Sequence, residues 1–213
     1  PRQYKDVFQA IVETTKAYRY IRVAKTAPGD FFIAKFCAYE AGAVDTDIRP
    51  GFTLSAAYVP TSRTSELFFA APDGPLARSI DGRVDVASFA GGGNVDGDIS
   101  AVRGPEVYYR GADGYLHHLS KPDAGSWQHR SFPVAGKVAG DISALFAEQQ
   151  SHSEAFFRGE DGLVHCLYFR DGQWYCDDIQ FRGSGSCLGG LSAFYNVDRR
   201  HAELFAAGAD GYL

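Results

Sequence analysis

Along most of this chain, apolar and polar positions alternate in short runs separated by turn-forming pairs. Ile142–Ala147, Glu154–Arg158, Leu163–Phe169 and Gln173–Phe181 are four such runs in succession. Between them lie a polar loop at 148–153, then Glu160-Asp161-Gly162, then Asp171-Gly172. Alternation with a period of two predicts strands, because successive strand side chains point to opposite faces. Asp-Gly between apolar-aromatic runs predicts hairpins, since both residues accept the positive φ that tight turns need. No stretch after residue 25 carries a helical period.

The same pattern recurs. Glu66, Glu106, Glu154 and Glu203 each open an aromatic run that ends on an Asp-Gly pair, at Asp73, Asp113, Asp161 and Asp210. Upstream lies a second element: Leu54-Ser55-Ala56, Ile99-Ser100-Ala101, Ile142-Ser143-Ala144 and Leu191-Ser192-Ala193. Self-similarity at roughly 45 residues is the mark of a solenoid or propeller. Four short antiparallel strands per unit select the propeller, since one unit then makes one blade. The fold expected is all-β: a β-propeller of four-stranded antiparallel blades forming one domain over 1–213. Its units fall at about 5–50, 51–96, 97–139, 140–187 and 188–213, the last incomplete. Phe8-Gln9-Ala10 would open the first unit, which lacks the Glu and Asp-Gly signature and reads equally as beginning with a helix over 5–17. The chain is then either a ring of five blades or a piece of a larger ring.

A blade buries its faces only against its neighbours. Phe68, Tyr108, Phe156 and Phe205 hold equivalent places and are expected in the core between blades. The Ser-Ala pairs are expected on the inner strand, where small side chains let strands converge. The repeated Glu is expected to accept hydrogen bonds from its own or the next blade, with a ligand contact as the sharper alternative.

Composition narrows the function. The charge is −5, which gives no electrostatic case for nucleic acid or an anionic membrane. No apolar run approaches the roughly 20 residues of a membrane helix. Residues 1–20 carry charges throughout and show no signal peptide; the chain begins at Pro1, as a processed or partial chain does. The compartment, extracellular or cytoplasmic, stays open. Of the four cysteines, Cys37, Cys166, Cys176 and Cys187, none stands in a C-x-x-C pair, so no zinc site is expected. A two-residue turn at Asp171-Gly172 would set Cys176 opposite Leu167 and not Cys166, so the cysteines are read mainly as free thiols. No metal or cofactor is called for: each repeat Asp sits in a turn without clustered acids.

The segments Gly140-Asp141-Ile142-Ser143-Ala144, Glu154–Gly162, Leu163–Tyr168 and Gln173-Trp174 resemble the blades of propeller lectins. These include the tachylectin type and the fungal and bacterial fucose-binding types, and the resemblance runs from Thr53 onward. It implies several shallow sugar sites between adjacent blades, with glycans or glycoproteins as partners, no catalysis, and a homo-oligomer as a compatible state. A sugar offers an apolar face and fixed hydroxyls, so its site wants an aromatic ring with Arg, Glu, Asp or backbone groups. The candidates are Tyr109, Arg110, His118 and Trp127 in one unit, and Phe157, Arg158, His165 and Trp174 in the next. Ala70 and Ala207 stand where those arginines would be in the flanking units. His118 and Cys166 stand where the fungal family's Glu would be sought. The alternatives are a protein-interaction platform and a sialidase-like hydrolase. The latter needs Ser-x-Asp-x-Gly-x-x-Trp turns, which the sequence lacks. Asp177-Asp178 cannot act as a glycosidase pair, because neighbouring strand residues point to opposite faces.

Overall fold

A computed structural model of the chain describes residues 54–208 except 61, 72–73, 81–82, 86–92, 104, 123–124 and 180–186. The expected first unit over 5–50 lies outside them, as do Cys37 and the Asp-Gly pairs at Asp73 and Asp210. The described residues form fourteen strands in four antiparallel sheets. The first blade is β1 (Ser55–Val59), β2 (Thr64–Ala70), β3 (Leu76–Ile80) and β4 (Arg83–Asp85). The second is β5 (Val95–Val102), β6 (Glu106–Gly111), β7 (Leu116–Ser120) and β8 (Gln128–Ser131). The third is β9 (Val138–Ala147), β10 (His152–Gly159), β11 (Val164–Arg170) and β12 (Gln173–Ile179). A pair, β13 (Cys187–Asn196) and β14 (His201–Gly208), begins a fourth. Each sheet runs in chain order, so this is the meander of a β-propeller, and strand boundaries in the third blade follow the alternation to within a few residues. No described helix is long and apolar enough to cross a membrane.

Register fixes the core. Ser55, Ser100, Ser143 and Ser192 face Phe68, Tyr108, Phe156 and Phe205 on the second strand. The two adjacent aromatics on that strand point oppositely, one to each neighbouring blade. Tyr108 packs with Val138, Ile142 and Phe157 of the third blade, while Tyr109 packs with Phe68, Ala70 and Leu76 of the first. Both rings are wholly buried. Phe156 likewise joins Cys187 and Leu191 of the fourth. Phe205 holds the equivalent register yet is 45% exposed and stacks on Phe194, because no described element covers that face.

The inner strands are bonded to one another by side chains. Ser55 Oγ accepts the Ala101 N–H at 2.8 Å, Ser100 Oγ that of Ala144 at 2.9 Å, and Ser143 Oγ that of Ala193 at 2.9 Å. Asp98 accepts the Ile142 N–H at 2.9 Å and Asp141 that of Gly190 at 2.7 Å. Each inner strand is a sheet edge, so its outward N–H groups lack ladder partners. The preceding blade supplies them. The repeated Ser is thus more than a small residue in a crowded channel: its hydroxyl joins blade to blade.

The hairpin turns follow the sequence. Asp113 and Asp161 each accept the backbone N–H two residues on, at 3.1 and 3.0 Å. Asp171 and Gly172 both adopt positive φ, 51° and 80°, which sets Leu167 opposite Cys176. Cys166, Cys176 and Cys187 are free thiols.

Candidate functional site

The eight residues singled out from the sequence are not brought together as two sets. Tyr109 and Phe157 are fully buried in the core between blades, so neither ring can face a ligand. His165 is buried between two carboxylates, with Nε2 3.2 Å from Asp161 and Nδ1 2.9 Å from Asp178. Arg110 reaches into the third blade, where its Nε donates to the Val138 carbonyl at 2.9 Å, and it also binds the Asp96 carbonyl and carboxylate. Arg158 donates to the Ala139 carbonyl of its own blade at 2.6 Å. Both arginines therefore brace backbone, and each lies against the glycine of a Gly-Asp-Ile-Ser segment, Gly97 or Gly140.

His118 and the two tryptophans make a different arrangement. Trp174 belongs to the third blade but packs on the second, 5.0 Å from the His118 ring and 4.8 Å from Phe132. Trp127 belongs to the second blade but packs on the first. The Arg78 guanidinium sits 5.1 Å from its ring centroid, and Phe68 meets it edge-on at 6.4 Å. The rule is that one blade's indole covers the third strand of the blade before it.

The residue under each indole follows from register. Arg78 lies opposite Phe68 and His118 opposite Tyr108, so both point toward the following blade. Each bonds the repeated glutamate of its own blade: Arg78 is 3.4 Å from Glu66 and His118 Nε2 is 2.6 Å from Glu106. Glu66–Arg78–Trp127 and Glu106–His118–Trp174 are thus two copies of one carboxylate–base–indole cluster. The equivalent position in the third blade is Cys166, beside Glu154, which pairs with His152 at 3.1 Å.

The second cluster opens on a cleft of about 340 Å³ between the second and third blades. Glu106, His118, Arg130, His152, Ser153 and Trp174 are among its lining. Glu106 Oε1 also takes a bond from Ser153 of the third blade at 2.6 Å, and the Tyr108 hydroxyl lies 2.9 Å from Ser153 Oγ and 3.3 Å from Oε1. Burial works to raise the Glu106 carboxyl, but the donors His118, Ser153 and Tyr108 outweigh it and hold it below the usual glutamate range. Burial and the nearby Glu106 charge push the Tyr108 phenol well above its ordinary range, so Tyr108 stays a neutral donor. Arg130 stands 6.0 Å over the Trp174 ring.

Such a cleft offers fixed acceptors, a ring donor and an indole at one boundary between blades. No group of three or more metal-ligating side chains is found among the described residues. Arg78 and Arg130 are not among the sequence candidates, and Glu66 and Glu106 enter there only through the ligand-contact alternative for the repeated Glu. Arg78, His118 and Cys166 each stand five residues after the Asp of an Asp-Gly pair, a spacing that marks the position in all three blades.

No family model matches this chain, and no curated protein does. Solved structures share its fold. A triple arginine-to-alanine mutant of AofleA from Arthrobotrys oligospora is 15% identical, with a TM-score of 0.58 over 76% of this chain and 53% of that one. The SapL1 lectin in complex with alpha methyl fucoside is 18% identical, with a TM-score of 0.55 over 74% of this chain and 56% of that one. The Aleuria aurantia lectin, described as a six-bladed β-propeller with a novel mode of fucose recognition, is 15% identical, with a TM-score of 0.50 over 66% and 50%. The chain spans about half the length of these structures, and the likeness confirms the β-propeller fold.

Proposed function

We propose that this chain is a non-catalytic carbohydrate-binding lectin whose sugar sites lie between adjacent blades, at Glu66–Arg78–Trp127 and Glu106–His118–Trp174. The observation that carries this reading is the repetition of the cluster: a carboxylate, a nitrogen base and an indole recur at equivalent positions on two blade boundaries. A sugar hydroxyl pair suits a carboxylate beside a ring or guanidinium donor, and the C–H face of a pyranose suits an indole. A cleft of about 340 Å³ falls within the size range of small-molecule sites. The propeller fold shared with lectins described as binding fucosides supports the same reading and makes fucosides the first sugars to try. Two sites on one rigid arc would give multivalent binding to glycoproteins.

The test is a glycan array followed by titration calorimetry of the best-held sugar. Binding is expected, with Trp127→Ala and Trp174→Ala each removing one class of site and the double variant removing both. Retention of no glycan at high protein concentration, or undiminished binding by the double variant, would overturn the proposal.

A further inference from the structure

The outermost strand changes sign at one register position. Arg130 lies opposite His118 in the second blade, whereas Asp85 lies opposite Arg78 in the first and Asp177 opposite Cys166 in the third. Directly opposed residues of an antiparallel pair share a face, so Arg130 and His118 both point toward the third blade. There the Arg130 guanidinium stands 6.0 Å over the Trp174 ring and lines the cleft between the blades. It is exposed and pairs with no carboxylate among the described residues. Arg78, by contrast, is buried against Glu66, and Arg103 pairs with Glu148 at 3.0 Å. A solvated arginine on an outer strand is ordinary. This one stands inside a cleft, beside an indole, where both adjoining blades carry aspartate. Glu106 is the only acid among the described residues lining that cleft. Its side chain is 19% exposed, and His118, Ser153 and Tyr108 all donate to its Oε1.

We infer that the second site selects an anionic sugar, one bearing a carboxylate or a sulfate, and that Arg130 is the group that holds the anion. This rests on the sugar-site reading above. A guanidinium presents paired N–H donors that match two oxygens of a carboxylate or sulfate. No existing ion pair has to break for the Arg130 fork to take one. Arg130 is exposed while His118 and Glu106 lie deeper, so the anion sits at the mouth and the sugar hydroxyls reach inward. Glu106 Oε2 bonds no described residue and is left as an acceptor for one of those hydroxyls. Trp174 and Phe169, 5.3 Å apart, supply apolar surface for the sugar ring. The Glu106 charge opposes an anion, but its three donors draw that charge toward Oε1, away from the mouth. His129 and His152 also line the cleft and add positive charge in their acid forms. At the first boundary the register position of Arg130 holds an aspartate, and at the third Asp177 accepts the Tyr168 hydroxyl at 2.8 Å. The preference for an anion is therefore confined to the second site.

The experiment uses the full chain carrying Trp127→Ala, which leaves only the second site. Matched pairs are titrated calorimetrically at neutral pH and about 0.15 M salt: methyl glucuronide against methyl glucoside, sialyllactose against lactose, and a sulfated galactoside against its neutral parent. The anionic member should bind about tenfold or more tightly, the gain of one charge-assisted fork. The carboxylated and sulfated arms show which anion the fork prefers. Arg130→Asp, which installs the residue type of the adjoining blades, should bring the anionic member to or below the level of the neutral one. Arg130→Lys should keep part of the preference, and salt near 1 M should shrink it. Circular dichroism checks that each variant is folded. Equal affinity within every pair, a preference that Arg130→Asp leaves unchanged, or retention only of neutral sugars on a wider glycan array overturns this inference and leaves the sugar-site reading intact. If no glycan of either kind is held, even without Trp127→Ala, the sugar-site reading fails and this inference falls with it.

Discussion

Replacing Ser100 by alanine tests how the blades are joined. Ser100 is buried, and its hydroxyl accepts the Ala144 N–H across the boundary between the second and third blades at 2.9 Å. Ala144 lies on β9, whose outward edge pairs with no described strand, so the lost hydroxyl leaves that amide without a replacement in the described sheet. Deleting a hydrogen-bond partner so that a buried group is left unsatisfied costs about 1–3 kcal/mol. For a chain of this size each kcal/mol lowers Tm by about 2–4 °C, so Ser100→Ala should melt roughly 2–12 °C early. Differential scanning calorimetry gives the Tm. Amide hydrogen exchange gives the location: the Ala144 N–H should lose protection while the Ala155 N–H, on β10 inside the same sheet, keeps it. A Tm within one degree of the parent, together with unchanged Ala144 protection, would refute the idea that the serine hydroxyl holds the blades together.

Three further outcomes follow from the same geometry. Gly159 faces the Asp161–His165 pair, and a Cβ there would lie 2.5 Å from Asp161 Oδ1 and 2.6 Å from His165 Nε2; Gly159→Ala should therefore lower Tm and abolish the His165 imidazole signal of a doubly bonded ring in NMR. Burial first, then nearby acidic groups, pushes the Cys176 thiol up to about 11 and raises Cys166 further, so neither should react with iodoacetamide at neutral pH until the chain is unfolded, as mass spectrometry reads directly. Because the folded Glu106 carboxyl lies below its unfolded value, its stabilising contribution is complete above about pH 4.5 and is lost as the pH falls through the lower folded value; Glu106→Gln should flatten that part of the acid unfolding curve measured by fluorescence.

The fold was legible because its signals are local. The turn residues Asp113, Asp161, Asp171 and Gly172 act within two residues of themselves, and period-two alternation places Phe68, Tyr108 and Phe156 without knowledge of any other blade. The site was less legible because it crosses blades. Trp127 and Trp174 were each grouped with the histidines of their own unit, yet each indole covers the unit before it. Both His118 and His165 are sequence candidates, but His118 is opposite Tyr108 and His165 opposite Phe157, so they face opposite neighbours. A register shift of one residue is invisible in a motif and decisive in a sheet. Arg110 and Arg158 stand out by varying between units, yet in the structure both brace backbone carbonyls.

The two kinds of repeat position answer to different constraints. Ser100, Asp98 and the aromatic at Tyr108 each satisfy a demand made by the adjoining blade, an unpaired N–H or an apolar face. The position of Arg78, His118 and Cys166 holds a guanidinium, an imidazole or a thiol on the third strand of successive blades, each opposite the aromatic of the second strand, and the strand order is the same in all three. The neighbouring glutamate is kept in each case and takes whatever donors its own or the next blade provides: Arg78 at Glu66, His118 and Ser153 at Glu106, His152 at Glu154. A constant acceptor beside a variable base lets one scaffold carry sites of different charge at successive boundaries. On the proposed sugar-site reading each site takes residues from two blades, the base from one and the indole from the next, which is why neither blade alone announces it.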